Sequence, residues 1–209
     1  MKKKKTELLH ITKQHTGKME GMWSLSTSCK QNPYCMKRSV IPGSICEKCY
    51  AQAMMNRYKE LDPCMSKNGE VLSSRLLKFE EQPLLNVAYF RFETFGDLIN
   101  ETHAINYFNI CKKNPDTHFA LWTKNPQLID NAIWMGHKKP ENLQIVLSSP
   151  FVNMKADSKW GFVDKIFTVY DKKFILENGI DTNCHGKSCL ACKLCYLDNG
   201  VTDIREQLK

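Results

Sequence analysis

A chain of 209 residues that is 42% hydrophobic is long enough for one core-forming domain with small appendages and too short for two large ones. Its net charge of +8 and pI of 8.9 suit a phosphate-bearing partner, but also a plain basic surface. No run of about 18 apolar residues is present, which excludes a membrane-spanning helix, so no membrane partner is expected.

The N-terminal stretch MKKKKTELLHITKQHTGK lacks the apolar segment of a secretory leader, and the expected compartment is the cytoplasm. Without Lys2 to Lys5 the charge falls to +4, so half of the excess belongs to a basic tail, read as flexible over residues 1–15. Strand character follows at 22–27. Four further strand candidates lie in 86–97, which opens on a β-branched and aromatic run, and at 118–124, 143–150 and 164–171. Each is a short apolar run closed by polar residues. Helical patterns lie between them. The stretch QAMMNRYKEL follows Tyr50 and Ala51, and Val71, Leu72, Leu76 and Phe79 share one face. Ile105, Phe108 and Cys111 form a stripe within 101–114. NPQLIDNAIW opens on Asn125 as N-cap with Pro126 at the first helical position.

Strands alternating with helices predict an α/β fold with a parallel sheet and crossover helices. About five to six strands are too few for a closed eight-stranded barrel, which takes about 250 residues. A partial (β/α) barrel or an open α/β sheet remains. In both, chemistry gathers at the C-terminal ends of the strands. That rule selects the loop from Cys29 to Cys49, then Arg91, Glu93 and Asp97, then Thr123 and Lys124, then Ser148 and Ser149, and finally Tyr170 and Asp171.

The ten cysteines of a reducing compartment are thiols or metal ligands rather than disulfides. Eight fall into two groups. Cys184, Cys189, Cys192 and Cys195 are spaced C-x4-C-x2-C-x2-C, a compact run that suits the thiolate ligation of a [4Fe–4S] cluster. Structural zinc, the alternative, usually takes two pairs separated by a longer loop. Cys29, Cys35, Cys46 and Cys49 have gaps of five, ten and two. The Cys46–Cys49 pair is the strong part of that signal, and Cys64 is a substitute ligand. Three ligands leave one iron open, whereas four close the site. Cys111, on an apolar stripe, reads as a core thiol.

The order TGKMEGMWSLSTSC, CEKCYA, FRFETFGDLINETHAINYFNICKKNPDTHFALWTKNP and CLACKLCY resembles the phage-associated gene product eighty-eight family over residues 15–197. More distantly it is similar to phage proteins with a CxxCYA signature related to radical-SAM enzymes. The resemblance implies a radical-SAM-like partial barrel over residues 16–183, with an auxiliary cluster on the cysteine segment and tail of 184–209. It implies a cluster on Cys35, Cys46 and Cys49, or on a set that includes Cys29, with S-adenosylmethionine on the open iron. Glu93 or Asp97 would contact the amino group of that cofactor. The radical-SAM spacing is C-x3-C-x2-C with an aromatic residue before the last cysteine; here the middle gap is ten and Tyr50 follows.

Three functions are weighed. The first is a radical-SAM-like redox enzyme with two [4Fe–4S] clusters and an unknown substrate. It would draw electrons from a flavodoxin or ferredoxin and act in the host cytoplasm if phage-encoded. Its catalytic candidates are Glu93, Asp97 and Lys124, and its cofactor-binding candidates Glu93, Asp97, Thr123 and Ser148. The second is an iron–sulfur protein without S-adenosylmethionine, used for electron transfer, redox sensing or structure. The third is a zinc-stabilised module binding DNA or RNA through basic charge and stacked aromatics such as Trp23, Tyr34 and Tyr50. No phosphate-binding glycine loop and no zinc helix of the His-Glu-x-x-His type is present.

Overall fold

Short β-branched and aromatic runs form a seven-stranded sheet in the computed structural model, which describes residues 8–208. The strands are β1 (Thr12–Lys13), β2 (Trp23–Leu25), β3 (Tyr89–Phe92), β4 (His118–Thr123), β5 (Leu143–Ser148), β6 (Lys165–Tyr170) and β7 (Asp203–Gln207). Each lies beside the next in sequence, from β1 at one edge to β7 at the other. β1 is antiparallel to β2, and every other pair is parallel.

The crossover from β2 to β3 carries α1 (Pro33–Ser39), α2 (Tyr50–Arg57) and α3 (Leu61–Ser74). α4 (Glu101–Lys113) leads to β4 and α5 (Gln127–Trp134) to β5, while α6 (Lys172–Asn178) and α7 (Cys189–Cys192) precede β7. Among the described residues no helix separates β5 from β6, and no helix is long and apolar enough to cross a membrane.

The period of two along each strand builds two cores. Phe90, Phe92, Phe119, Leu121, Leu143 and Ile145 face the helices, against Leu72, Phe108 and Ile129. Burying one such side chain contributes roughly 1.5–3 kcal/mol. On the opposite face Ala120, Val146, Phe167 and Ile204 pack with Met22 and Tyr196, and against the partly buried Cys184, Cys189 and Cys195. The C-terminal cysteine segment thus covers the face that the large helices leave open. All six residues of β5 are buried, as expected for a strand covered on both sides.

Several elements differ from the sequence reading. Lys2 to Lys5, the charged part of the N-terminal tail, lie outside the described residues. From residue 8 the segment joins the fold. Leu9 is buried, and Asn68 grips the backbone of His10 through bonds of 2.7 and 2.8 Å. The helical face drawn through Leu76 and Phe79 stops earlier: Arg75 is extended, α3 ends at Ser74, and both residues are exposed. The N-cap of α5 is Pro126 rather than Asn125; the Asn125 backbone N–H is bonded to Thr123 Oγ1 at 2.9 Å.

Candidate functional site

The first parallel strand runs into Ser26, Thr27 and Ser28, and each is tied down. Ser28 Oγ donates to Asp62 at 2.5 Å. Thr27 donates through its backbone N–H and its hydroxyl to the Glu93 carboxylate at 3.1 Å. Asn32 accepts the Tyr34 N–H with its Oδ1 (2.9 Å), capping α1. Its amide nitrogen donates to the carbonyls of Asp97 (2.8 Å) and Leu98 (3.2 Å). The cysteine loop is therefore fastened at its root to the end of β3.

Along that loop the four thiols come together. Cys29 is buried with Ala51, Met55 and Met65, its sulfur 3.6 Å from Met55 Sδ. It also donates toward Cys49, which pushes its own pKa up, as does burial. Cys49 is the N-cap of α2. The Cys29 thiol and the backbone N–H groups of Gln52 and Ala51 favour its thiolate. Together these overcome burial and hold its pKa down to about 6, as expected for a thiolate at a helix N-terminus. Cys35 is pushed up by burial and by the charges of Asp97 and Glu93. Cys46 is pushed up by burial against the opposing charges of Lys124 and Arg38.

Cys29, Cys35, Cys46 and Cys49 line one cavity of about 360 Å³. Glu93, Asp97, Thr123, Lys124 and Ser148, chosen from the strand ends, line the same cavity. Cys64 sits on α3 away from it, and Cys111 lies in the core, raised well above the ordinary thiol range by burial. Ser149 is turned aside, bonded to Thr168 Oγ1 and the Ala156 N–H at 2.9 Å each.

The two carboxylates of the wall are engaged by the protein. Asp97 accepts the Thr123 hydroxyl (2.5 Å) and the backbone N–H groups of Leu98 (2.8 Å) and Lys124 (2.8 Å). Glu93 accepts from Thr27 and from the Tyr107 hydroxyl (2.6 Å), and His103 Nε2 lies 3.4 Å away. Burial raises Glu93 to about 7 against those bonds and depresses His103 to about 3. Glu93 has a positive φ of 55°. A Cβ on Gly96 would stand 2.6 Å from the Thr27 carbonyl, so only glycine fits that turn.

Of the other wall residues, Arg91 is one the strand-end rule selects, whereas Arg38 and Trp122 escape a sequence reading. Arg38 Nε and Nη2, Arg91 Nε and Trp122 Nε1 are buried donors without a hydrogen-bond partner among the described residues, and all three residues line the cavity. A buried donor left so costs about 1–3 kcal/mol, and nothing in the local sequence marks it. The Arg91 guanidinium stacks on Trp122, 4.2 Å from the ring centroid.

The C-terminal cysteines also gather. Ser188 caps α7, and Lys193, with φ 58°, turns the chain after it, bringing Cys195 back toward Cys184, Cys189 and Cys192. Burial pushes Cys195 up to about 12, Arg91 opposing, with the other three cysteines adding to the rise. Lys18 Nζ lies 3.0 Å from the Cys184 carbonyl and 3.7 Å from its sulfur, and pairs with Glu206.

Among the described residues no three His, Cys, Asp or Glu side chains converge to hold a single ion. A cluster spreads its thiolates around a larger body than one ion does. Eight thiols lie in two groups of four, with unpartnered cationic donors beside the first.

Six sequential parallel strands with polar groups converging at their C-terminal ends define an α/β protein of the kind that carries its site on strand-end loops. A family model described as gene product 88 matches residues 1–173, and the chain belongs to that phage-type family. No curated protein and no solved structure matches it.

Proposed function

We propose that the chain is an iron–sulfur protein with two [4Fe–4S] clusters, acting as a radical-SAM-like redox enzyme on a partial barrel. The observation that carries this reading is that the four thiols of the 29–49 loop share one cavity with Glu93, Asp97, Thr123, Lys124 and Ser148. A metal serving structure alone has no need of a ligand-sized cavity beside it. Cys35, Cys46 and Cys49 would hold one cluster with an iron left open, Cys29 lying beside them, and Cys184, Cys189, Cys192 and Cys195 would hold the other. Bound, such clusters supply one-electron chemistry and, with S-adenosylmethionine, a radical.

The chain's own residues have separable roles. Cys49, at about 6, offers a thiolate near neutral pH. Asp97 pins the ends of β3 and β4 to each other, its oxygens taken by Thr123, Leu98 and Lys124. Glu93, buried and half-protonated near neutrality, forms the floor with Thr27 and Tyr107. Lys124 places its charge beside Cys46 and Cys49. A flavodoxin or ferredoxin would supply electrons in the cytoplasm.

The contact between Cys29 and Cys49 favours a second reading, four ligands and a closed cluster without S-adenosylmethionine. Protein purified without oxygen tests both. The first reading expects about eight irons per chain and an EPR spectrum of the reduced protein that changes with S-adenosylmethionine. It also expects Cys29→Ala to keep all the iron, because three thiolates suffice. Loss of about half the iron in that variant, with a spectrum indifferent to S-adenosylmethionine, selects the closed cluster. Zinc in place of iron overturns both.

A further inference from the structure

We propose that the cavity between α1 and the ends of β3 and β4 binds a small anionic ligand. Its carboxylate or phosphate would lie between Arg38 and Lys124, within reach of the Trp122 indole N–H. This names the ligand class of the site proposed above, but it rests on side chains that need no metal to be read.

Charge accounting across the cavity wall carries the inference. Arg38, Arg91 and Lys124 all line it, and none forms an ion pair among the described residues. The carboxylates of the same wall are engaged elsewhere. Glu93 accepts from Thr27 and Tyr107, Asp97 from Thr123 and two backbone N–H groups, and Glu206 pairs with Lys18. The wall therefore carries three cationic side chains that no carboxylate pairs closely among the described residues.

The donors are also directional. Arg38 Nε and Nη2 and Trp122 Nε1 are buried and without partners. Buried donors in native proteins are nearly always satisfied, by protein, water or ligand. A planar guanidinium fork matches a carboxylate or phosphate with two parallel bonds. The cavity, at about 360 Å³, has the size of a small-molecule site. Ile45, Phe95, Phe167 and Val169 add apolar wall, so the ligand carries an apolar body behind its charge.

Two sources of such an anion are distinguishable: the methionyl carboxylate of S-adenosylmethionine and the phosphate of a nucleotide substrate. Binding of S-adenosylmethionine, adenosine monophosphate and adenosine to the full chain, purified without oxygen, would be measured by calorimetry. At least one charged probe should bind ten or more times more tightly than adenosine. Whichever charged probe binds more tightly identifies the source. Arg38→Gln and Lys124→Gln should each weaken that probe about tenfold or more, with iron content unchanged, and Arg38→Lys should restore part of the affinity. Equal binding of adenosine, or binding of none of the three, overturns the proposal. So does loss of iron in the glutamine variants with affinity retained, since the cations would then serve the metal. Anion binding by protein that holds no iron would leave this inference standing while removing the iron–sulfur reading.

Discussion

Glu93 shows how one residue can carry strain, burial and chemistry together. Its positive φ of 55° is uncommon for a residue with a side chain, yet it aims the carboxylate at Thr27 and Tyr107 below the cavity. Burial raises it to about 7, above the value of about 4.3 in an unfolded chain. The folded state thus holds the proton more tightly. Its stabilising contribution is full below about pH 4.3 and is lost as pH rises through 7, a change of about 4 kcal/mol. His103, depressed to about 3, works in the other direction: its contribution is full above about 6.5 and is lost as pH falls toward 3. Replacing Glu93 separates the two. Between pH 5 and 7.5, wild type should lose stability relative to Glu93→Gln in urea denaturation. Parallel pH profiles for the two proteins would show that the carboxyl group is not the titrating element.

The turn from β3 to α4 is the element on which the site depends. Asp97 binds the Thr123 hydroxyl and the Lys124 N–H across to the end of β4, and its carbonyl receives Asn32 from the cysteine loop. One residue thus registers three segments, its carboxylate joining two and its carbonyl the third. Asp97→Asn keeps the shape but turns a donor toward other donors. The expected cost is about 2 kcal/mol, a fall in melting temperature of roughly 4–8 °C, with or without added S-adenosylmethionine. An Asp97 reserved for a ligand's amino group would instead leave the melting temperature of the ligand-free protein unchanged. The sequence made this turn visible as a polar strand end, and it marked β2 to β6 by their apolar runs. It did not mark β1, two residues long, or β7, whose DIREQ reads as a charged tail because only Ile204 is fully buried. Arg38 and Trp122 were equally hidden, since an unpartnered donor is defined by neighbours that only the fold assembles.

At the scale of the molecule, the two cysteine groups share a wall rather than occupying separate ends. The C-terminal group packs on the sheet face of Ala120, Val146 and Phe167, and the cavity of the N-terminal group lies over the strand ends of the same sheet. Arg91 stands between them. It lines the cavity, stacks on Trp122, and lowers the pKa of Cys189 and Cys195 by its charge. Lys18 touches Cys184 and acts through its charge on Cys189 as well. Removing a positive charge makes an anionic cluster harder to reduce. With the proposed clusters bound, Arg91→Gln should therefore move both reduction potentials to more negative values, by about 70 mV. That is the effect of one unit charge over about 10 Å at an effective dielectric constant of about 20. Lys18→Gln should move the C-terminal potential and leave the other in place. Potentiometric titration followed by EPR reads the two signals separately. If Arg91→Gln shifts only one signal, the arginine serves a single group and the shared wall does not couple the sites. If it shifts both while Lys18→Gln shifts one, a charge on β3 sets the two centres jointly, and the position of the C-terminal segment on the sheet has a functional reason beyond covering apolar surface.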